Sequence, residues 1–159
     1  MSGFQFITSF QFDEPIAALD RAAGLDKSEL LDGLGALGAS QTKRRLEEEK
    51  TGPDGEAWKA NAEGSSLLFQ TGALADSIDH QAEGSDAVAW GSALVYAAVH
   101  QSGAVIKPDS AKTLAFSIGG SPIFAKEVTI PARPYVGISQ DNARELEGAA
   151  LRFVGEVLQ

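Results

Sequence analysis

Helical and extended periodicities segregate along this chain and do not alternate as strand, helix, strand units. That order excludes a doubly wound parallel sheet. It predicts an α+β fold: an antiparallel sheet with a projecting β-hairpin, N-terminal helices and a C-terminal amphipathic helix. At 159 residues the chain is one ordinary domain, residues 1–159, long enough to bury a real core.

Phe4, Phe6, Phe10 and Phe12 share the even face of an extended run over residues 4–12. Asp13 can cap a helix with Pro15 in its first turn and Ile16, Ala17, Leu19, Ala22 and Ala23 as its apolar stripe, ending near Gly24. Helix restarts at Asp26 or Ser28, with Leu30, Leu31, Leu34 and Leu37 at three- and four-residue spacing, and can continue through Lys50. Thr51-Gly52-Pro53-Asp54-Gly55 stops it, and a polar loop to Ser66 is pinned by Trp58. Residues 67–80 are predicted as a short helix around Leu74, 87–90 as strand, and 93–100 as a short helix or strand-to-helix turn.

Residues 112–118 and 123–130 read as two extended runs joined by Gly119-Gly120-Ser121-Pro122, so 112–130 is predicted as a hairpin arm. Leu114, Phe116, Val128 and Ile130 supply its apolar faces, which a neighbouring molecule would complete. Proline holds Pro131-Ala132-Arg133-Pro134 extended. Ser139 is a good cap for a closing helix that carries Ala143, Leu146, Ala149, Ala150, Phe153, Val154, Val157 and Leu158 on one face.

The absence of cysteine excludes disulfide frameworks, thiolate zinc sites and cysteine nucleophiles. A net charge of -9, from 13 basic and 22 acidic residues, argues against neutralising a phosphate backbone, so direct sequence-specific nucleic acid binding is not expected. Residues 1–86 hold sixteen acids and seven bases, whereas 87–140 hold two and four. That asymmetry suits head-to-tail contact between copies as well as ordinary solvated faces. With no run of ~20 apolar residues and no basic-then-apolar start, neither a membrane span nor a signal peptide is expected.

Gly33-Leu34-Gly35-Ala36-Leu37-Gly38 satisfies the glycine pattern of a dinucleotide site, but the sequence before it is helical rather than strand-like. A closely packed helix segment is expected there, and no cofactor. His80 and His100 are the only histidines and lack a carboxylate ligand set, so no metal site is expected. His100 reads as a packing or interface residue; a hydrolase pairing it with Asp76 or Asp79 would lack a nucleophile and an oxyanion pattern. No catalytic residue is predicted, and the chain is expected not to be an enzyme.

Three blocks occur in order: Leu68-Phe69-Gln70-Thr71-Gly72-Ala73-Leu74-Ala75-Asp76-Ser77-Ile78; Trp90-Gly91-Ser92 with Tyr96-Ala97-Ala98-Val99-His100-Gln101-Ser102-Gly103; and Ile130-Pro131-Ala132-Arg133-Pro134-Tyr135-Val136-Gly137. Together, and followed by an amphipathic helix, they resemble the phage virion morphogenesis family of tail-completion proteins, which includes the Mu-like G protein and the P2-like S protein. The chain departs from that pattern at Ser102, where an aromatic often precedes the glycine, and at Tyr135-Val136 in place of a more typical Phe-Leu. Residues 1–66 match only in general helical character.

The resemblance implies a structural protein of tail completion and head-tail joining at the virion neck, present as a ring-like homo-oligomer and touching other neck or tail proteins. The alternative is an assembly factor for capsid or tail maturation that is absent from the finished virion. The expected interface combines Thr71, Gly72 and Leu74 with Tyr96, His100 and Gln101. Phe116, Val128 and Ile130 of the arm join it, as do Pro131, Arg133, Pro134 and Tyr135 of the proline strip. Arg133 is expected to point outward toward a carboxylate on a neighbour, with an intrachain salt bridge as the alternative.

Overall fold

The computed structural model describes residues 8–11, 24 and 26–157. Phe4, Phe6, Phe12 and the helix expected from Asp13 lie outside the described residues, except for Gly24. In chain order the elements are β1 (Thr8–Gln11), α1 (Ser28–Arg44), α2 (Ala73–Asp76), β2 (Ile78–Glu83), β3 (Ala87–Ser92) and α3 (Ala97–Ser102). They continue as β4 (Ala104–Ile106), β5 (Leu114–Ile118), β6 (Ser121–Ala125), β7 (Val128–Ile130) and α4 (Gln140–Val157). The class is α+β, with every strand pair antiparallel.

The main sheet has the order β1-β3-β2, in register through Phe10↔Val88 and His80↔Trp90. In its central strand Val88, Ala89 and Trp90 are all buried. Helix α1 lies across β2 and β3. The Asp26 carboxylate accepts the Ser28 N–H at 2.9 Å and opens that helix, as an acidic side chain at a helix start should. Leu30, Leu31 and Leu34 are buried on its inner face.

The glycine pattern on α1 is the seam between helix and sheet. A Cβ on Gly35 would lie 2.5 Å from both the His80 ring and Val88 Cγ2, and one on Gly38 would lie 2.7 Å from the Trp90 indole. Gly33 faces open space. The indole sits over Gly38 and is fixed there because Trp90 Nε1 donates to Thr42 Oγ1 at 3.2 Å. Small residues thus serve close packing rather than phosphate binding at this position.

Beyond Arg44 the helix widens into one π-helical turn, Arg45–Glu49, closed by Lys50 in the left-handed region at φ 57°. The wider turn buries Arg45 and Leu46 side by side. Lys50 Nζ donates to the carbonyls of Leu46 and Leu67, the latter at 3.1 Å, and so ties the next loop to the helix. The C-terminal helix packs its Leu146 and Ala150 face against α1. Ser139 and Asn142 cap α4 reciprocally: Ser139 Oγ accepts the Asn142 N–H at 3.1 Å, and Asn142 Oδ1 accepts the Ser139 N–H at 3.4 Å.

Two expectations need correction. The helix expected over residues 67–80 is confined to Ala73–Asp76, and Ile78 begins strand β2. Gly72 at φ 77° and Leu68 at φ 55° break any helix before it, and the edge of β3 offers Ile78–Glu83 a full ladder of partners after it. The hairpin is also shorter than 112–130. Gly119 and Gly120, at φ 56° and 82°, form a two-residue turn, so Ser121 already pairs with Ile118 and Pro122 with Ser117. Val128 and Ile130 pair instead with Ile106 and Ala104 in a second two-stranded sheet.

The seam makes a paired prediction. Gly38→Ala should destabilise the chain by ~1–3 kcal/mol through overpacking against Trp90, while Gly33→Ala should stabilise it by up to ~1 kcal/mol through helix propensity. Urea unfolding of the two variants measures both, and equal effects would contradict the seam.

Candidate assembly interface

The strip from Pro131 to Gly137 is fixed by side chains that arrive from three directions. Gln101 supplies the first set: its Oε1 accepts the N–H groups of Tyr135 and Val136, each at 3.0 Å, and its Nε2 donates to Val136 O at 3.0 Å. Arg45 supplies the second, with Nη1 donating to Tyr135 O at 2.8 Å and to Gly137 O at 3.1 Å, and Nη2 to Asn142 Oδ1 at 2.5 Å. Trp58 supplies the third, its Nε1 donating to Pro134 O at 3.0 Å. The loop tryptophan is therefore buried against the strip, which is the pinning that its position suggested.

Two glycines let the chain come this close. A Cβ on Gly103, which has φ 74°, would fall 2.8 Å from Ala132 N and 2.9 Å from Ile130 O. One on Gly137 would collide with the Pro53 ring. Tyr135 is wholly buried, and its hydroxyl donates to Ala97 O at 3.0 Å. Burial, aided by Tyr96, pushes its pKa from 10.0 to about 12.

Arg133 does not point outward. It is 6% exposed, with Nε donating to Lys59 O at 2.9 Å and Nη2 to Ala60 O at 3.4 Å. Nor does it form the alternative intrachain salt bridge, because its partners are carbonyls of the loop. The proline strip leaves that loop as the nearest source of acceptors, and burial holds the guanidinium pKa below its ordinary value.

Six of the sequence-predicted interface residues, Thr71, Gly72, Leu74, Tyr96, His100 and Arg133, line one cavity of about 290 Å³. Thr71 and Tyr96 are exposed, Gly72 and His100 half-buried, and Leu74 buried. Gln101 and Tyr135 belong to the hydrogen-bonded strip beneath, with Pro131 half-buried and Pro134 exposed. Phe116, Val128 and Ile130 do not line the cavity; they sit half-buried on the arm.

His100 shares an edge-to-face contact with Tyr96, ring centroids 5.9 Å apart, and makes no hydrogen bond to Asp76 or Asp79. Desolvation, with the Arg133 charge adding to it, holds its pKa below the ordinary 6.5. His80 is occupied separately, its Nε2 lying 3.0 Å from Asp32 Oδ1. Among the described residues no group of three or more His, Asp or Glu side chains is placed to hold a metal ion. No described helix is long and apolar enough to cross a membrane.

Sequence reasoning missed Phe124, which is 69% exposed, and Val105, which is 57% exposed. The signal for Phe124 was present in Pro122-Ile123-Phe124: consecutive apolar residues on a strand point to opposite faces, so one of them must leave the face shared with Phe116.

Over residues 10–155 the chain matches the phage virion morphogenesis family, and it belongs to that family. Comparison with curated proteins and with solved structures gave no match.

The buried phenol makes alkaline pH a test of the strip. Because the folded pKa of Tyr135 is raised, its stabilising contribution is whole below the ordinary value of 10.0 and is lost as pH rises toward about 12. Tyr135→Phe should cost ~1–2 kcal/mol at neutral pH, through the lost bond to Ala97 O, and should flatten the alkaline fall in stability. Denaturant midpoints at neutral and alkaline pH check both effects, and an alkaline fall unchanged in the variant would refute the assignment.

Proposed function

We propose that this chain is a structural component of the phage particle that acts in tail completion and head-tail joining at the neck, as repeated copies in a ring. Family membership supports a morphogenetic, non-enzymatic role. The observation that carries the finer reading is the arm: from Ala98 to Ala132 not one residue is buried.

Those residues nevertheless form two regular sheets, β4-β7 and β5-β6, each of only two strands. A two-stranded ribbon is marginal alone and leaves strand edges unpaired, so an ordered one calls for a covering partner. On β5-β6 the Leu114, Phe116, Ile118, Ile123 and Ala125 face is half-covered, while Phe124 stands out on the other face. Residues 98–132 carry Lys107, Lys112 and Lys126 against Asp109 and Glu127, whereas the first 86 residues are strongly acidic. A second copy presenting its acidic side fits this arm in sign, and head-to-tail repetition of such a contact closes a ring when the rotation permits.

Phe124→Asp tests the reading. With its ring exposed, the substitution should change monomer stability by no more than ~0.5 kcal/mol in urea unfolding, yet abolish head-tail joining when supplied to a phage lacking this chain. Normal particle yield from the variant would refute the arm as an assembly surface. Detection of the chain in purified virions supports a neck component; its absence would turn the reading to an assembly factor lost before the particle is finished.

A further inference from the structure

We propose that the cavity between the 61–74 loop, Tyr96, His100 and Arg133 is a pocket for a carboxylate of a partner polypeptide. Its source, a partner in the particle, rests on the assembly reading, but its chemistry is argued from the pocket alone. Arg133 is almost fully buried, yet its guanidinium meets no carboxylate among the described residues. Nε and Nη2 are held by two neutral carbonyls, and Nη1 makes no hydrogen bond among the described residues. A cation taken out of water without a counter-charge is costly, and a chain that keeps one beside a cavity leaves room for an anion to offset the cost.

A second observation is independent of the arginine. Three buried side-chain polar atoms among the described residues lack a hydrogen-bond partner, and two of them, Asn61 Oδ1 and His100 Nδ1, belong to residues that line this cavity. Unsatisfied buried polar atoms are rare, and of these two His100 Nδ1 is the one that can carry a ring proton and donate it to an anion, whereas Asn61 Oδ1 is an acceptor that calls for a donor. The sign of the ligand follows from Arg133, since the one acidic side chain on the lining, Glu63, is exposed and makes no ion pair with it.

Size and wall chemistry narrow the ligand further. A volume of about 290 Å³ with Leu67, Leu68, Leu74 and Tyr96 in its walls suits one amino-acid residue and lies at the small end for ligand sites. The Nη1–Nη2 edge is the part of the guanidinium left for bidentate contact, being held only by the 3.4 Å contact to Ala60 O. A side-chain carboxylate of Asp or Glu and a C-terminal carboxylate share this chemistry.

The test is an NMR titration of the full chain, following the His100 and Tyr96 ring signals. N-acetyl-leucine presents an α-carboxylate, N-acetyl-glutamic acid α-amide presents a side-chain carboxylate, and N-acetyl-leucinamide is the uncharged control. At least one carboxylate should give saturable shifts below ~50 mM while the control gives none, and the tighter of the two identifies the source. Arg133→Lys should weaken that binding ~tenfold or more, because lysine cannot offer the planar edge. If that variant does not fold, Tyr96→Ala, at an exposed wall position, should weaken binding several-fold instead. Absence of saturation, equal shifts from the amide, or affinity unchanged in the folded variants would overturn the proposal. The titration needs no particle, so its failure leaves the arm reading standing, and failure of the Phe124→Asp complementation leaves the pocket standing.

Discussion

The guanidinium of Arg45 is the interaction on which the rest of this fold depends. It is 1% exposed, it follows directly on α1, and its hydrogen bonds reach two carbonyls of the 135–137 strip and the capping side chain of α4. Without it, the Tyr135 and Gly137 carbonyls and Asn142 Oδ1 would each lose a charge-assisted donor inside the protein, at a cost of ~1–3 kcal/mol apiece. Arg45 opens the π-helical turn, and Leu46 beside it is buried as well. The desolvation that lowers the guanidinium pKa is partly offset by Glu49, whose carboxylate lies 3.9 Å from Nε. Three hydrogen bonds offset the burial of this charge, while Nε, which has no hydrogen-bond partner among the described residues, has only the Glu49 carboxylate nearby.

What the sequence made legible were the elements whose pattern and partners are local. The leucine spacing of α1, the Ser139 cap of α4 and the Gly119-Gly120 turn each declare themselves within a few residues, and each is found. The 67–80 segment misled because Leu74 and Ala75 satisfy a helix while the decision at Ile78 belongs to β3, a strand some ten residues further on. The same limit applied to Ile123–Ile130, which bends at Lys126 and divides its pairing between β5 and β4. For Arg133 the two prolines correctly implied an extended strip, yet the direction of the side chain depended on the Lys59 and Ala60 carbonyls of a loop more than seventy positions away. Long-range acceptors leave no periodic trace.

The family blocks take on a common meaning in this light. Gln101 holds the Tyr135 N–H, Gly103 packs against the Ile130–Ala132 backbone, and Gly72 and Leu74 line the cavity beside Arg133. They serve first to lock a strip and a loop together, and only the residues left at the surface of that lock, such as Tyr96 and Thr71, face outward. A motif of this kind would look like a binding signature in sequence while most of its members bind only their own chain.

The lock also explains how an arm without a buried residue can stay ordered at its base. The arm leaves the body through α3, where Tyr135 Oη bonds Ala97 O, and returns where the Arg133 N–H donates to His100 O at 2.8 Å. Gly103 allows the outgoing and returning strands to touch backbone to backbone at that point. Beyond it, the only regular structure is the two ribbons, whose strands pair within the arm and not with the main sheet. On the proposed reading this division matters for association: the root is ordered on folding, so a partner that covered the tip would gain apolar contact without having to order the arm's attachment.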